Sequence, residues 1–247
     1  MTLIKLKTSI ASAVAVLALC GSGAIAQDAE AWKGGYAGIY VSGALFSVEA
    51  SDLTDTITND APPISELVAA GGLKLGYNFA PRQGNLVLGI ELDVNGSHTT
   101  SKLIASNSSG TSGVKFDNDV VLTSLLGRAG LANGDLLTYA VGGPVQASGS
   151  YVMRELNGNG SESCNTIICA QTTEDMLGVA LGGGFEWAFK DNMTARFELM
   201  HYALPTIAAP ILNNGIAPAC GGATPAECVV SFKSSSTDMR FVISYQF

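Results

Sequence analysis

The chain has 247 residues, of which 47% are hydrophobic and only 14% are charged, and its formal net charge is −8. The negative charge disfavours nucleic acid as a partner. A mean hydropathy of +0.29 together with 29 glycines is unusual for a water-soluble exported domain, and lipid-facing surface would account for it.

Residues 1–26 have the pattern of a secretory signal peptide, because Lys5 and Lys7 precede an apolar run that ends in an Ala-Ile-Ala cleavage site. We therefore predict a signal peptide over residues 1–26 and one mature domain over residues 27–247. Loss of the two lysines leaves 11 basic residues against 21 acidic ones, which is a net charge of −10. The mature chain has no run of about 18 apolar residues, so it offers no transmembrane helix.

The mature chain alternates apolar with small or polar residues over eight segments. A period of two is the pattern of a β-strand with one apolar face. In the clearest segment, leucine, isoleucine and valine side chains alternate with Glu91 and Asp93, which must therefore share a face. The predicted strands cover residues 35–48, 67–79, 86–96, 120–132, 136–151, 177–189, 193–204 and 235–247.

The connections between the predicted strands alternate between long and short. The short turns are residues 80–85, 133–135 and 190–192, and the long loops are residues 49–66, 97–118, 153–175 and 205–231. An even number of strands with both chain ends on one side produces this alternation. We expect the Ser-, Thr- and Asn-rich loop 97–118 to be mobile and Pro144 to mark a bulge or bend in the fifth strand.

These patterns predict an all-β chain that folds as an eight-stranded antiparallel up-and-down transmembrane β-barrel. Tilted strands of about 9 to 11 residues suffice to cross the bilayer, and every predicted strand is long enough. A soluble lipocalin-like barrel is the structural alternative. That barrel would need large apolar residues inside, whereas small and ionic residues share one face on most strands here.

If the apolar face meets lipid, the ionic side chains lie in the lumen, where buried charges are retained only in pairs. The predicted lumen ionic network consists of Lys74, Glu91, Asp93, Arg128, Glu186, Arg196, Glu198 and Arg240, with Asp238 as a further candidate. An eight-stranded barrel is just wide enough for its own side chains. We therefore expect a plugged lumen and no wide diffusion pore.

The same residue types admit a catalytic interpretation, which is the weaker one. Glu91 and Asp93 are spaced for acid–base chemistry, but lumen filling explains them more simply. The glycines at residues 182–184 are not followed by a strand-to-helix transition, so they are not a phosphate loop. His98 has no second ligand nearby, and His201 lies at an outer strand end, where amphipathic rings collect at the membrane interface. We predict no catalytic, cofactor-binding or metal site, and no cofactor.

Four cysteines remain in the mature chain, two in each of two long loops. They are Cys164, Cys169, Cys220 and Cys228. An exported chain meets an oxidising compartment, so disulfides are expected, and of the three possible connectivities we predict local pairing within each loop. The spacings are not C-x2-C, which disfavours a zinc site.

Three stretches resemble a known family. Residues 32–38, Trp-Lys-Gly-Gly-Tyr-Ala-Gly, are similar to the W-x-G-x-Y-x-G opening of the small outer-membrane β-barrel proteins of alpha-proteobacteria, the porin-like surface antigens. Residues 182–198 resemble that family's G-x-G-x-E-[YW]-A-[FL]-x-D-N hairpin. The last three residues, with Tyr245 and Phe247, are similar to the carboxyl-terminal aromatic signal that the outer-membrane assembly machinery reads.

This resemblance implies a non-enzymatic structural protein of the Gram-negative outer membrane that supports envelope integrity or acts as a surface antigen or adhesin. The implied partners are outer-membrane lipids and the assembly machinery, with peptidoglycan or a host surface as candidates for the loops. A porin-like barrel, or one that binds haem or small solutes, is the alternative. A lipid A deacylase-like enzyme is a third, but residues 201–203 are His-Tyr-Ala and lack the serine of its His-x-Ser motif.

Overall fold

The computed structural model describes residues 29–52, 64–80, 84–107, 110–156, 168–213 and 228–247. A short 3-10 turn, Ala29–Trp32, precedes nine strands. The strands are β1 (Gly34–Asp52), β2 (Ile64–Phe79), β3 (Leu86–Asn107), β4 (Gly110–Asn133), β5 (Leu136–Leu156), β6 (Ile168–Lys190), β7 (Met193–Ala203), β8 (Ile207–Asn213) and β9 (Val229–Gln246). In this described part of the chain, no helix is long and apolar enough to cross a membrane.

The strands form one closed antiparallel sheet. Each strand from β1 to β7 pairs with its neighbour in sequence, and β9 pairs with both β7 and β1, which closes the barrel. Strand β8 pairs with β6 and β9, so it continues the wall position of β7 and adds no ninth position. The predicted all-β class and eight-stranded antiparallel barrel are confirmed.

The break between β7 and β8 coincides with two prolines. The ladder with β6 stops after Ala203 and resumes at Ile211. Pro205 and Pro210 lie in that interval, and proline has no N–H group to donate to a ladder. The prediction of a single loop over residues 205–231 is therefore wrong where β8 lies.

Several strands continue into segments that the sequence pattern assigned to loops. Strands β3 and β4 stay paired as far as Asn107 and Gly110, so the predicted mobile loop 97–118 is mostly a hairpin. Strand β6 begins at Ile168, inside the predicted loop 153–175. Those loop predictions relied on polar side chains, whereas an antiparallel ladder is held by backbone groups that every residue except proline carries.

Pro144 lies inside β5, where it interrupts the ladder with β4. The register is the same before and after the interruption, so of the bulge or bend expected at this proline, a bulge is absent from that ladder. A register shift occurs instead beside the β6–β7 turn, between Ala188 and Lys190.

The two ends of the barrel differ, and we name them for what they carry. The turn end carries the tight turns at residues 134–135 and 191–192, together with Gly34 at the start of β1 and the carboxyl-terminal Phe247. The loop end is the opposite one, where β1 ends and β2 begins.

In the turn-end half of the barrel, most large apolar side chains point outward, and the charged side chains point inward beside a few apolar ones such as Val87 and Leu137. The exposed outward residues include Ile39, Val41, Leu73, Leu75, Ile90, Leu92, Leu125, Leu181, Phe185, Trp187, Phe197 and Phe241. The charged side chains of the opposite parity are buried. This is the arrangement of a barrel wall that faces lipid.

Towards the loop end the arrangement reverses. Buried inward residues there include Val48, Val68, Leu122, Ile207, Val230 and Phe232. Exposed outward residues there include Glu49, Ser65, Asp119, Asp175 and Lys233. The strands therefore continue beyond the lipid-facing band as a barrel of the water-soluble type, with an apolar interior and a polar exterior.

Candidate functional site

Lys74 lies at the centre of a buried ionic network in the turn-end half of the barrel. Its Nζ is 2.6 Å from Glu91 Oε1, 2.7 Å from Asp93 Oδ2 and 3.0 Å from Glu198 Oε2. Lys74 is directly opposite Asp93 in the β2–β3 register, and Glu91 lies two residues along the same face. The ammonium group thus lies within 3.0 Å of three separate carboxylates.

Arg196 connects this centre to the turn end. Its Nη1 lies 2.8 Å from Glu91 Oε2, and its Nε lies 3.0 Å from Glu186 Oε1. Arg128 also pairs with Glu186, and the Thr194 hydroxyl donates to Glu186 Oε1 at 2.5 Å. Glu186 on β6 is therefore tied to both β4 and β7.

Arg240 connects the centre to the loop end. Its Nη1 lies 2.9 Å from Asp93 Oδ2, and its Nη2 lies 3.1 Å from Asp238 Oδ2. The Asn95 amide donates to Asp238 Oδ2 at 3.0 Å, and the Ser236 hydroxyl donates to Oδ1 at 2.5 Å. Asp238 therefore belongs to the network.

Four tyrosines that the sequence prediction omitted also belong to the network. The hydroxyls of Tyr36, Tyr40 and Tyr139 donate hydrogen bonds of 2.8, 2.9 and 2.6 Å to carboxylates. Their acceptors are Glu91, Asp93 and Glu198 respectively. Tyr202 accepts a hydrogen bond from Arg240, whose guanidinium carbon lies 4.5 Å from the Tyr40 ring centroid, a cation–π distance.

Among the described residues, this network joins four cationic side chains to five carboxylates, and none of the nine is more than 3% exposed. Each of the eight wall positions contributes at least one side chain. The structure brings all eight residues predicted for the lumen network together inside the barrel. Each carboxylate faces a cation, which suits the network to cross-linking the wall.

A cavity of about 20 Å³ lies between this network and the apolar interior of the loop end. Its lining includes Ala44, Asn95, Leu122, Tyr202, Ser236 and Asp238. That volume holds about one water molecule. A shallow groove of about 380 Å³ lies on the outer surface over β1, between β2 and β9, and is lined mainly by apolar side chains.

The residues considered for catalysis lie in ordinary structural positions. Glu91 and Asp93 are both paired with cations. His201 is exposed on the outer surface, with its Nδ1 2.9 Å from Thr237 Oγ1. His98 lies in β3, and its side chain is outside the described residues. A Cβ added to Gly182 would clash with Met200, so close packing accounts for that glycine.

Two of the four cysteines fall in the described part of the chain. Cys169 in β6 and Cys228 before β9 are both buried. Strand β8 brings their segments close, because Cys169 is opposite Leu212 in the β6–β8 ladder and Ile211 N donates to Cys228 O at 3.1 Å. Cys164 and Cys220 lie outside the described residues, so the connectivity remains a prediction.

The carboxyl-terminal residues complete the seam of the barrel. Tyr245 points outward and is 54% exposed, as an aromatic residue at the edge of a lipid-facing band would be. The Phe247 N–H donates to Gly35 O at 2.9 Å, which ties the chain end to β1.

Solved structures of small outer-membrane barrels are similar to this chain at low identity. The neisserial surface protein A is 10% identical, with 86% of this chain and 97% of that chain covered and a TM-score of 0.45. Ail, the attachment invasion locus protein of Yersinia pestis, solved with the heparin analogue sucrose octasulfate, is 11% identical over 87% and 99% of the two chains, with a TM-score of 0.37. The outer membrane protease OmpT of Escherichia coli is 8% identical over 87% and 94%, with a TM-score of 0.46.

No curated protein matches the chain. The family model described as the outer membrane protein beta-barrel domain matches residues 12–216, which is well over half of the chain. The closed eight-position barrel and its outward apolar band agree with that match. The chain therefore belongs to the outer membrane protein beta-barrel domain family and is a protein of the outer membrane.

Proposed function

We propose that this protein is a non-enzymatic structural barrel of the outer membrane, with a lumen plugged by its own ionic network and a rigid surface projection at its loop end. The observation that carries the proposal is the network itself, which draws on every wall position and is almost completely buried, with a cavity of about 20 Å³ beside it. A stably filled interior serves envelope integrity and surface display better than it serves transport.

The plug is supported by how the charges are used. Lys74, Arg196 and Arg240 each contact at least two carboxylates, so moving one of them would leave buried carboxylates without a cation. Such a loss is strongly destabilising in a low-dielectric interior. A solute path along the axis would have to break several of these pairs at once.

The absence of enzymatic activity is supported by the same contacts. Glu91 and Asp93 are charge-neutralised, and His201 is a surface residue that contacts Thr237. The cavity of about 20 Å³ beside the network is also too small for haem or a typical solute.

The surface role rests on the loop-end half of the barrel. There the exterior is polar while the interior is packed with apolar residues, so the projecting strands form a folded surface in water. We infer that the predicted surface-antigen or adhesin role belongs to this projection, with a host surface as its candidate partner; peptidoglycan, the other predicted candidate, lies on the opposite side of the membrane from a surface projection. Export by residues 1–26, insertion among outer-membrane lipids and recognition of Tyr245 and Phe247 by the assembly machinery complete the proposal.

Conductance in planar lipid bilayers tests the plug. We expect the unmodified protein to give no sustained openings, and we expect Arg196→Ala and the double variant Glu91→Ala/Arg196→Ala to give measurable ion flux. Glu49→Gln is the matched control, because Glu49 is an exposed acidic residue on the loop-end exterior. Its substitution should leave the barrel without measurable conductance. Steady conductance in the unmodified protein, growing when Glu91 or Arg196 is removed, would overturn the plug.

A further inference from the structure

We propose that residues 29–35 form a closure latch, which docks across the turn end of the barrel only after the first and last strands have paired. This inference concerns assembly of the barrel and does not depend on the proposed function. The name closure latch is used below for residues 29–35.

The latch is buried at the turn end of the barrel, although most of it, residues 29–33, precedes the first strand. Ala29 is fully buried and Trp32 is only 3% exposed. The Trp32 indole Nε1 donates to Gly134 O in the β4–β5 turn at 3.3 Å. The Asn78 side chain at the end of β2 donates to Trp32 O at 3.0 Å. The latch thus spans from β2 to the β4–β5 turn.

The last strand holds the same segment from the other side. The Gln246 amide Nε2 donates to Ala31 O at 3.2 Å and to Lys33 O at 3.1 Å. The Gln246 backbone is fixed in turn by Asn192, whose side chain donates to Gln246 O at 2.8 Å and whose carbonyl accepts from Gln246 N at 2.8 Å. The β6–β7 turn therefore supports the contact between the two chain ends.

Two glycines make the close approach of the chain ends feasible. Gly34 has a φ of 132°, which side-chain-bearing residues rarely adopt. A Cβ on Gly35 would lie 2.6 Å from the Phe247 ring. These are the glycines of the Trp-Lys-Gly-Gly-Tyr stretch, so the latch gives a structural reason for residue types that the sequence pattern alone left unexplained.

The order of events follows from topology. In an unclosed sheet, β1 and β9 are the two opposite edges, because they pair with each other only at the seam. Gln246 can therefore reach Ala31 and Lys33 only when the seam has formed. Because these two contacts hold the carbonyls on either side of Trp32, the docking of Trp32 should be completed with barrel closure rather than before it.

Trp32 fluorescence during refolding into phosphatidylcholine vesicles tests this order. The sequence contains two tryptophans, and Trp187 lies on the lipid-facing surface, so Trp187→Phe leaves Trp32 as the single probe. Protection of Trp32 from acrylamide is followed beside the gel migration of unheated samples, which reports the closed barrel. We expect Trp32 to become protected together with or after the migration shift.

Two variants separate the latch from the barrel in that background. Gln246→Ala and Asn78→Ala should still give the shifted gel form, while acrylamide quenching of Trp32 rises at least twofold. Gln146→Ala is the matched control, because Gln146 is an exposed glutamine on β5 away from the turn end, and it should leave quenching unchanged.

Three outcomes would overturn the latch. The first is protection of Trp32 before the migration shift, and the second is unchanged quenching in both variants. The third is failure of both variants to form the shifted species, because the segment would then be required before closure.

Discussion

Lys74 and Asp93 face each other across the β2–β3 ladder, with Nζ 2.7 Å from Oδ2 and both side chains inaccessible to solvent. The same ammonium group also contacts Glu91 and Glu198. One lysine thus contacts three carboxylates, and the stability of the barrel interior depends heavily on it.

The first prediction follows directly from that arrangement. Lys74→Met should lower the free energy of unfolding by about 3–5 kcal/mol, because it leaves buried carboxylates short of a cation. Urea unfolding in lipid vesicles measures the loss. Lys33→Met is the control, since Lys33 pairs with Glu30 at a largely exposed site and its loss should cost less than about 1 kcal/mol. Equal effects of the two substitutions would contradict the central role of Lys74.

The second prediction isolates one tyrosine hydroxyl. Tyr40→Phe removes the 2.9 Å hydrogen bond to Asp93 and keeps an aromatic ring beneath Arg240. Hydrogen bonds to charged groups contribute about 1.5–3 kcal/mol, so stability should fall within that range. Tyr77→Phe changes a tyrosine on the lipid-facing side and should be close to neutral. A neutral Tyr40→Phe would place its hydroxyl outside the network.

The third prediction concerns the reversal of the wall along the strands. Leu181→Arg, in the lipid-facing band of β6, should lower stability in vesicles by about 2–4 kcal/mol. Asp175→Arg, on the polar exterior of the same strand, should change it by less than about 0.5 kcal/mol. Leu122→Arg, in the loop-end interior, should abolish the folded loop end, detected as new protease cleavage between β3 and β4. Tolerance of Leu122→Arg would argue against an apolar core there.

The fourth prediction concerns the cysteines. Mass spectrometry of peptides from non-reduced protein should show two disulfides, with Cys164 joined to Cys169 and Cys220 joined to Cys228. Reduction should leave the gel migration of the closed barrel unchanged, because the network lies in the turn-end half. A peptide that links Cys169 to Cys228 would replace local pairing with a connection between the two loops.

Much of the fold follows from the period-two pattern. Glu91 and Asp93 could be placed on one face from their spacing alone, and Lys74, Arg196 and Arg240 from the parity of their own strands. What the pattern could not give is which cation meets which carboxylate. Those contacts depend on the register between strands that are distant in sequence.

The omitted tyrosines show two different reasons for a missed residue. Tyr36 and Tyr40 share the inward parity of β1, so the same argument that selected the charges could have selected them. Tyr202 follows Met200 and His201, where the alternation loses contrast because buried and exposed positions both carry large side chains. Tyr139 lies in β5, whose glycines and Pro144 weaken the pattern further.

The missed strand extensions have a single physical cause. The sequence pattern identifies a strand only where its outward residues are apolar, as they are where the wall faces lipid. Beyond Val121 and Leu177 the outward residues become polar because the surroundings change to water, and the pattern then resembles a loop. The backbone ladder continues through this change.

Because the β3–β4 and β5–β6 ladders run unbroken through that change, the boundary between lipid and water along these strands is marked only by the chemical type of the outward residues. Swapping Asp175 for leucine and Leu177 for aspartate would keep every strand, pair and turn in place. It would nevertheless move the boundary between polar and apolar outward residues on β6 by two residues towards the turn end. We therefore expect that substitutions of outward residues can change the depth of the barrel in the bilayer without changing its fold.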